Sequence, residues 1–446
     1  MRRSLGAVTL YAASALLTVM ACHAQPAERS PGLTQLAVIT TTPEDSYALF
    51  GNSLYVATTT GATPSVTAYR MPDGERSWMA PLPEGTRQVV VRAADHGLVL
   101  VDADGAALAI DAAAGTVRWR ARGHVLGWAS GEATVVTFDA SDPRGIVHAG
   151  VRADTGERVW EDVLKADEQY GIDHRAAPPS PVSNRSEVSA LVVVRRSDGT
   201  TRVRDAASGT LRRGRVHPIG QSPVVVIDDL LLVSYPIGAR GEIAAYELGD
   251  LKHRWTVSGG FSQATGCGPV VCLTARTLSA IDPGTGRERW RQADASVAWP
   301  AVPDAPAGPL LGYRDGGPEG DHGDEPVVLR ADTGAVIMRL SPWRVLGSDG
   351  SRLLLLRHAE GNTARSQDGG AGPAAADQLG LADLGTGTVR VLGELPAVAP
   401  ACSERDTTRP ACPLPFGRPS QCLPGSGWVV CGHTDGQVRV WRYTAG

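Results

Sequence analysis

Residues 109–121 read AIDAAAGTVRWRA, and this stretch contains the unit from which the whole chain is built. An apolar strand end leads to Asp111, a turn closes on Gly115, and a returning strand carries Trp119. The same spacing returns in SAIDPGTGRERW, at Asp282, Gly286 and Trp290. Weaker copies keep parts of the pattern: Gly74/Trp78, Gly156/Trp160, Gly209/Arg213, Gly334/Met338, Gly387/Val391, and Trp255 without a turn glycine. This recurrence predicts one supersecondary unit stacked many times.

Each residue type in the unit has a physical role. Glycine supplies the positive φ that a tight hairpin turn requires. The aspartate side chain bonds amides of its own turn, so Asp111 and Asp282 are interpreted as structural residues and not as catalytic carboxylates. A large, flat tryptophan ring on the outgoing strand is suited to covering the neighbouring unit.

Composition and charge narrow the class of protein. The chain has 446 residues, a formal net charge of −4, 52 glycines and 31 prolines. This balance argues against a nucleic-acid surface, and frequent Gly and Pro favour many short strands in one or two globular domains. Lys165 and Lys252 are the only lysines; we attribute the excess of arginine to a GC-rich genome and not to phosphate recognition.

The N-terminus has the pattern of an export signal. Arg2 and Arg3 precede an uncharged apolar run, residues 5–21, which is shorter than the about 20 residues of a membrane-spanning helix. Cys22 follows directly, and VMAC resembles a bacterial lipobox despite Met20 in place of a small residue. We expect a signal peptide over residues 1–21, lipidation of Cys22 and a tether over residues 22–32. A secreted protein cleaved near residue 24 is the alternative, and a twin-arginine signal is less well supported.

The other six cysteines suggest an oxidising compartment. They allow 15 connectivities, and local spacing favours three short bridges. No CxxC or paired histidines are present, which argues against zinc. The predicted disulfides are Cys267–Cys272, Cys402–Cys412 and Cys422–Cys431.

Cutting the chain at its repeats gives eight copies, and we place one domain over residues 33–446. The copies cover residues 46–80, 88–121, 124–162, 187–216, 223–257, 259–292, 296–341 and 343–393. Apolar runs such as residues 353–356 indicate strands buried on both faces, which is typical of β-propeller blades. Residues 395–442 form a partial copy that residues 33–40 can complete by closing the ring. The prediction is an all-β propeller of four-stranded blades, eight in number, with nine as the alternative.

The motifs AIDAAAGTVRW and AIDPGTGRERW resemble the tryptophan-docking repeats of the PQQ-binding-like, or quinoprotein-type, β-propellers, whose consensus is roughly AxDxxTGxxxW. Some members of that family are quinone-dependent alcohol or glucose dehydrogenases. Others bind no cofactor, including an outer-membrane assembly lipoprotein and many exported actinobacterial lipoproteins. The resemblance extends as architecture over residues 33–446, with sharp motifs in about half of the copies.

Motifs for chemistry are absent from the sequence. The family's dehydrogenases carry an adjacent Cys-Cys pair that faces the quinone, and this chain has no Cys-Cys dipeptide, no CxxCH and no HExxH. Three longer segments, residues 165–186, 316–325 and 359–377, are interpreted as insertions between repeat elements. The second of these is acidic, but without a spaced DxDxDG pattern a solvated loop is favoured over a Ca²⁺ site.

We therefore expect an exported, lipid-anchored propeller that binds a protein or envelope partner and performs no chemistry of its own. No cofactor, metal or nucleic acid is predicted. The alternatives are a PQQ-dependent dehydrogenase and a carbohydrate-binding or carbohydrate-cleaving exoprotein.

Overall fold

The computed structural model describes residues 32–444, apart from 43–44, 60–62, 130–133, 175–186, 220–222, 236–240, 260, 262, 276, 294, 296, 302–307, 314–324, 350, 360–375, 399–421, 426 and 434–435. All regular structure in these residues is β-strand. The described part of the chain contains no helix that could cross a membrane. The protein is an all-β propeller, as the sequence predicted.

The strands fall into groups of four that follow the chain, which we call sets. Set 1 is β2 (Ser46–Phe50), β3 (Ser53–Thr58), β4 (Ser65–Arg70) and β5 (Glu75–Pro81). Set 2 is β6 (Val89–Asp95), β7 (Leu98–Ala103), β8 (Ala106–Asp111) and β9 (Val117–Arg122). Set 3 is β10 (His124–Ala129), β11 (Thr134–Asp139), β12 (Ile146–Arg152) and β13 (Arg158–Leu164).

The middle of the chain continues the pattern. Set 4 is β14 (Glu168–His174), β15 (Glu187–Arg195), β16 (Thr200–Asp205) and β17 (Leu211–Arg215). Set 5 is β18 (Val224–Ile227), β19 (Leu230–Tyr235), β20 (Glu242–Glu247) and β21 (His253–Ser258). Set 6 is β22 (Gln263–Cys267), β23 (Val270–Thr274), β24 (Leu278–Ile281) and β25 (Glu288–Gln292).

The last sets include the N-terminal strand. Set 7 is β26 (Val297–Pro300), β27 (Leu310–Tyr313), β28 (Pro326–Leu329) and β29 (Val336–Arg339). Set 8 is β30 (Arg344–Asp349), β31 (Arg352–Arg357), β32 (Asp377–Asp383) and β33 (Thr388–Leu395). Set 9 is β34 (Cys422–Gly425), β35 (Trp428–Gly432), β36 (Gln437–Tyr443) and β1 (Leu33–Thr40).

Within each set, neighbouring strands are antiparallel. Six sets are separate four-stranded sheets, whereas sets 3, 4 and 5 join into one twelve-stranded sheet. The joins are short parallel contacts, β10 with β15 at Trp128↔Glu187 and β14 with β18 at Asp173↔Val226. Because each join covers only one or two residue pairs, the four-stranded set remains the unit of the fold.

The N-terminal strand completes the last set. β1 pairs antiparallel with β36 from Leu33↔Tyr443 to Thr40↔Gln437, which gives the partial C-terminal copy the strand that it lacks in sequence. The described strands therefore form nine sets, one more than the eight copies that the sequence favoured. The difference arises because the incomplete copy becomes a full set only when a strand from the other end of the chain is added.

Set 4 also starts earlier than the sequence indicated. Its first strand, β14 (Glu168–His174), lies inside the segment that we interpreted as an insertion over residues 165–186. The sequence EQYGIDH lacks the apolar run of the other inner strands, which is why pattern reasoning missed it. It nevertheless pairs with β15 along its length, from Glu168↔Arg195 to His174↔Val188.

Burial explains why these residues form strands of two kinds. A middle strand such as β7 is buried at every position, since both of its faces are covered. An outer strand such as β9 buries Trp119 between the exposed Arg118 and Arg120. This alternation is the period-2 pattern of a strand with one covered face.

The hydrophobic core lies between the sets. Nine clusters of buried apolar side chains occur in the described residues, and each draws on two consecutive sets. One of them joins set 9 to set 1, where Ile39 and Val440 pack with Leu54. No set buries its faces alone, so each one depends on its neighbours for stability.

Candidate functional site

The repeat tryptophans join each set to the next one. Among the described residues, the indole Nε1 in five sets donates a hydrogen bond to a backbone carbonyl in the turn of the following set. The bonds are Trp78 to Ala112 (2.7 Å), Trp119 to Ala153 (2.6 Å), Trp160 to Ala206 (2.9 Å), Trp255 to Pro283 (2.8 Å) and Trp290 to Ala331 (2.9 Å). All five rings are buried, so each one covers the neighbouring turn.

The turn glycine lies against the docked ring. Gly115 has φ +68°, and a Cβ added there would lie 2.7 Å from Cδ2 of Trp78. Gly156 meets Trp119 in the same way, and Gly286 meets Trp255. Glycine is therefore required twice over, for its left-handed backbone and for the space that the indole occupies.

The repeat aspartates are held by their own turns. Oδ1 of Asp111 accepts hydrogen bonds from the amides of Ala113 (2.9 Å) and Ala114 (2.8 Å). Its Oδ2 accepts the guanidinium of Arg118, with Nε at 3.1 Å. The hydrogen bond from Arg118 and then those from the turn amides hold the pKa of Asp111 below its usual range.

Asp282 repeats this arrangement in set 6. It accepts the amides of Gly284 (3.0 Å) and Thr285 (2.9 Å) and pairs with Arg289, whose Nε lies at 3.0 Å. A carboxylate that is ionised and saturated in this way is a turn anchor and is poorly suited to proton transfer.

Docking is missing between set 4 and set 5. Arg213 occupies the tryptophan position and is exposed, and Leu251 (φ +58°) occupies the glycine position of the next turn. Leu251 packs on Gly214, where an added Cβ would lie 2.6 Å from its Cδ1. The sequence contains this signal, because the copy reads Gly209/Arg213 and the next turn lacks its glycine.

A cavity of about 510 Å³ opens beside this boundary, on the face that carries the docking turns. Six charged side chains line it, namely Asp205, Arg212, Asp228, Asp229, Glu247 and Arg254. Arg254 pairs with Glu247 at 3.0 Å, and Asp205 accepts the amide of Ser208 at 2.8 Å. The cleft therefore offers mixed charge for binding polar groups, and sequence reasoning did not predict it.

A buried ion-pair network ties set 3 to set 4. Arg202 contacts Glu168 at 2.5 and 3.0 Å and Asp162 at 3.0 Å, and Arg204 contacts Asp162 at 3.2 Å. Burial raises the pKa of Glu168, but hydrogen bonds from Arg202 and the amide of Lys165 outweigh it and leave that pKa lowered. The four side chains lie on β13, β14 and β16 and satisfy one another, which indicates a structural clamp.

His148 lies next to this network without a hydrogen bond of its own. Its side chain is 1% exposed, and neither ring nitrogen has a hydrogen-bond partner. The ring packs against Tyr170, with centroids 4.7 Å apart. Burial lowers the pKa of His148 to about 4, against the opposing charge of Asp162.

Two of the three predicted disulfides lie in described residues. Cys267 and Cys272 are bonded across the β22–β23 hairpin, and Cys422 and Cys431 are bonded across β34 and β35. All four cysteines are fully buried. Cys402, Cys412 and the predicted lipidation site Cys22 lie outside the described residues.

Comparison with known proteins places the repeats in a family. Residues 40–257 match the family model described as outer membrane protein assembly factor BamB. This match covers just under half of the chain and supports PQQ-like β-propeller repeats in those residues. No curated protein matches the sequence.

Solved structures share the architecture at low sequence identity. A structure described as the eukaryotic initiation factor aligns with TM-score 0.53 at 9% identity, over 82% of this chain and 91% of that one, which supports the fold alone. BamB from Moraxella catarrhalis aligns with TM-score 0.39 at 14% identity, over 93% of this chain and 98% of that one. Quinohemoprotein alcohol dehydrogenase from Comamonas testosteroni also has TM-score 0.39, at 13% identity over 73% and 72% of the two chains.

Both described disulfides are closed inside the clusters between sets, so neither offers a surface on which a cofactor could stack. Within the described ranges, no group of three or more His, Cys, Asp or Glu side chains is arranged to hold a metal ion.

Proposed function

We propose that this PQQ-like propeller is an exported, envelope-associated scaffold that binds a protein partner and performs no chemistry of its own. The observation that carries the proposal is the match of residues 40–257 to a family model described as an assembly factor. The site geometry supports it, because Asp111 and Asp282 are bound up in turns and arginine pairs.

Capture of the partner in the native host tests this function. Cells are treated with a short crosslinker, and the tagged full-length protein is purified under denaturing conditions. The proteins crosslinked to it are then identified by mass spectrometry. We expect one envelope protein to be recovered in an amount comparable to the scaffold. Recovery of the scaffold alone at every crosslinker concentration would contradict the proposal.

We further propose that a lipid on Cys22 attaches the protein to a membrane, on the basis of the apolar run at residues 5–21 and the lipobox-like VMAC. The variant Cys22→Ser should move the protein from the membrane fraction to the soluble extracytoplasmic fraction. Cys402→Ser is the matched control for loss of a cysteine and should stay with the membrane. Equal membrane retention of Cys22→Ser and wild type would contradict lipid attachment at Cys22.

A further inference from the structure

The outer strand β17 differs from the other described outer strands in the register of its pairing. In eight sets the outermost strand, among them β5, β9, β13 and β1, pairs with the strand inside it through a register shift typical of a β-bulge. β17 (Leu211–Arg215) pairs with β16 in unbroken register, from Thr200↔Arg215 to Arg204↔Leu211. Bulges twist a sheet edge away from other strands, so β17 is the flat edge among the described outer strands.

The free edge of β17 presents backbone groups at alternate residues. The amide of Val216 bonds the carbonyl of Gly199 at 2.9 Å, and the amide of Asp205 bonds the carbonyl of Thr210 at 3.0 Å. Hydrogen-bonded and non-hydrogen-bonded pairs alternate along an antiparallel ladder. The backbone N–H and C=O groups of Leu211, Arg213 and Arg215 therefore point away from β16. No described strand other than β16 pairs with β17.

The edge is also positively charged. Arg212, Arg213 and Arg215 are exposed, and none forms an ion pair with a carboxylate in the described part of the chain. The outer strand of set 6 is different, because Arg289 pairs with Asp282 and Arg291 with Glu288. Nε of Arg215 instead donates a hydrogen bond to the backbone carbonyl of Asp198 at 2.8 Å. β17 thus combines unpaired backbone groups with three exposed arginines that form no ion pair in the described residues.

We infer that β17 is a docking edge for an acidic, extended segment of a protein partner, which adds to set 4 as a further antiparallel or parallel strand. Backbone hydrogen bonds along the edge supply affinity, and acidic side chains facing the arginines supply selectivity. A second copy of this chain is disfavoured as the occupant, since two such strands would bring arginines together. The inference rests on the proposed function as a protein-binding scaffold and names the partner chemistry.

A synthetic peptide of alternating Glu and Val is the direct probe. Fluorescence anisotropy with the purified full-length protein should show saturable binding that weakens as salt is added. The same peptide with Lys in place of Glu, and a version with Pro at alternate positions to remove amide donors, should not bind. Binding of the Lys peptide at equal affinity, or absence of any binding by the Glu peptide, would overturn the inference.

The variant Arg213→Pro removes the central outward amide of the edge and leaves the ladder to β16 intact, since proline is tolerated on the solvent side of an edge strand. We expect binding of the Glu peptide to weaken about tenfold or more. Arg120→Pro is the matched control, because Arg120 is an exposed arginine opposite Leu108 on the bulged strand β9. Equal weakening by both variants would mean that the site is not β17.

The variant Arg213→Glu tests the same site if the proline variant folds poorly. It keeps the backbone donor but reverses the charge, and we expect it to weaken binding of the Glu peptide and to strengthen binding of the Lys peptide. Unchanged affinities for both peptides would contradict the role of the arginines. Light scattering over a range of protein concentrations tests whether a second copy of the chain binds at β17. If wild type forms dimers and Arg213→Pro does not, the edge pairs with itself and the inference of an acidic partner is wrong.

Crosslinking in the host separates failure of the inference from failure of the proposed function. If wild type and Arg213→Pro capture the same envelope protein equally, the scaffold function holds and the docking edge is wrong. If wild type captures nothing, the proposed function fails, and the peptide titrations still decide whether the edge binds acidic strands. Loss of capture in Arg213→Pro but not in Arg120→Pro is the result that we expect.

Discussion

Trp160 shows how one side chain joins two sets of strands. Its indole Nε1 reaches the carbonyl of Ala206 at 2.9 Å, its ring lies against Gly209, and the guanidinium of Arg204 lies 5.4 Å from the ring centroid. Buried aromatic area, a satisfied N–H and a cation–π contact thus act together at one boundary. The aspartates and glycines of the repeat serve the same purpose, which is to shape the turn that receives this ring.

Removing that ring should destabilise the protein strongly. We expect Trp160→Ala to lower the free energy of unfolding by about 3–5 kcal/mol, as for other buried aromatics. Arg213 holds the equivalent repeat position in set 4 but is exposed, so Arg213→Ala should change stability by about 0.5 kcal/mol or less. Denaturant unfolding of both variants makes the comparison, and equal effects would show that the repeat position does not dock.

His148 should make stability depend on pH. Its pKa is lowered by burial to about 4, below the value of about 6.5 for an exposed histidine. Between these pH values the unfolded chain binds more protons than the folded one. The free energy of unfolding is therefore undiminished by His148 above pH 6.5 and falls as the pH drops towards 4. The loss attributable to His148 is about 3 kcal/mol.

The variant His148→Phe keeps an aromatic ring beside Tyr170 and removes the titration. Denaturant midpoints of wild type and variant, measured from pH 7 to pH 4, should diverge on the acid side, with the variant falling less. Parallel curves over this range would mean that His148 is already accessible to protons in the folded protein.

Among the elements, β1 pairs with the strand most distant in sequence, because β36 lies at the other end of the chain. Ile39 lies opposite Val438 and is buried in the cluster between sets 9 and 1, whereas Val38 lies opposite Arg439 and is 45% exposed. Of these two neighbouring residues, Ile39 therefore packs in the core between the sets, and Val38 faces solvent.

This difference gives a matched pair of substitutions. We expect Ile39→Ala to cost about 2–5 kcal/mol and Val38→Ala about 0.5 kcal/mol or less. Thermal or denaturant unfolding measures both. Equal, small effects would indicate that β1 does not complete set 9 in solution.

The elements also show what could be read from the sequence. The spacing of Asp111, Gly115 and Trp119 predicted the hairpin, the docked ring and the propeller, because these features are local and repeat. β14 was missed because EQYGIDH lacks an apolar run, and its acidic Glu168 is buried with an ion pair to Arg202, which comes from a later strand. The flat edge of β17 could not be predicted, since a bulge depends on the register between two strands and not on either sequence alone.

At the scale of the whole molecule, stability is distributed over contacts between neighbouring sets. Each cluster of buried side chains belongs to two sets, and the set at the end of the chain packs against the first. We expect such an arrangement to leave the sequences of turns and outer edges free to vary while the docking contacts hold neighbouring sets together. Set 4 departs from the common pattern in its arginine, its unbulged edge and the adjoining cavity, and it is where we place partner binding.

We propose that this PQQ-like propeller works as a protein-binding scaffold and not as a quinone enzyme. Native mass spectrometry of the full-length protein, released gently from membranes of its host, distinguishes these two functions. We expect a lipid-modified chain in complex with a second protein, without a small-molecule adduct. A chain free of any protein partner that carries one stoichiometric adduct with the mass of pyrroloquinoline quinone would contradict it.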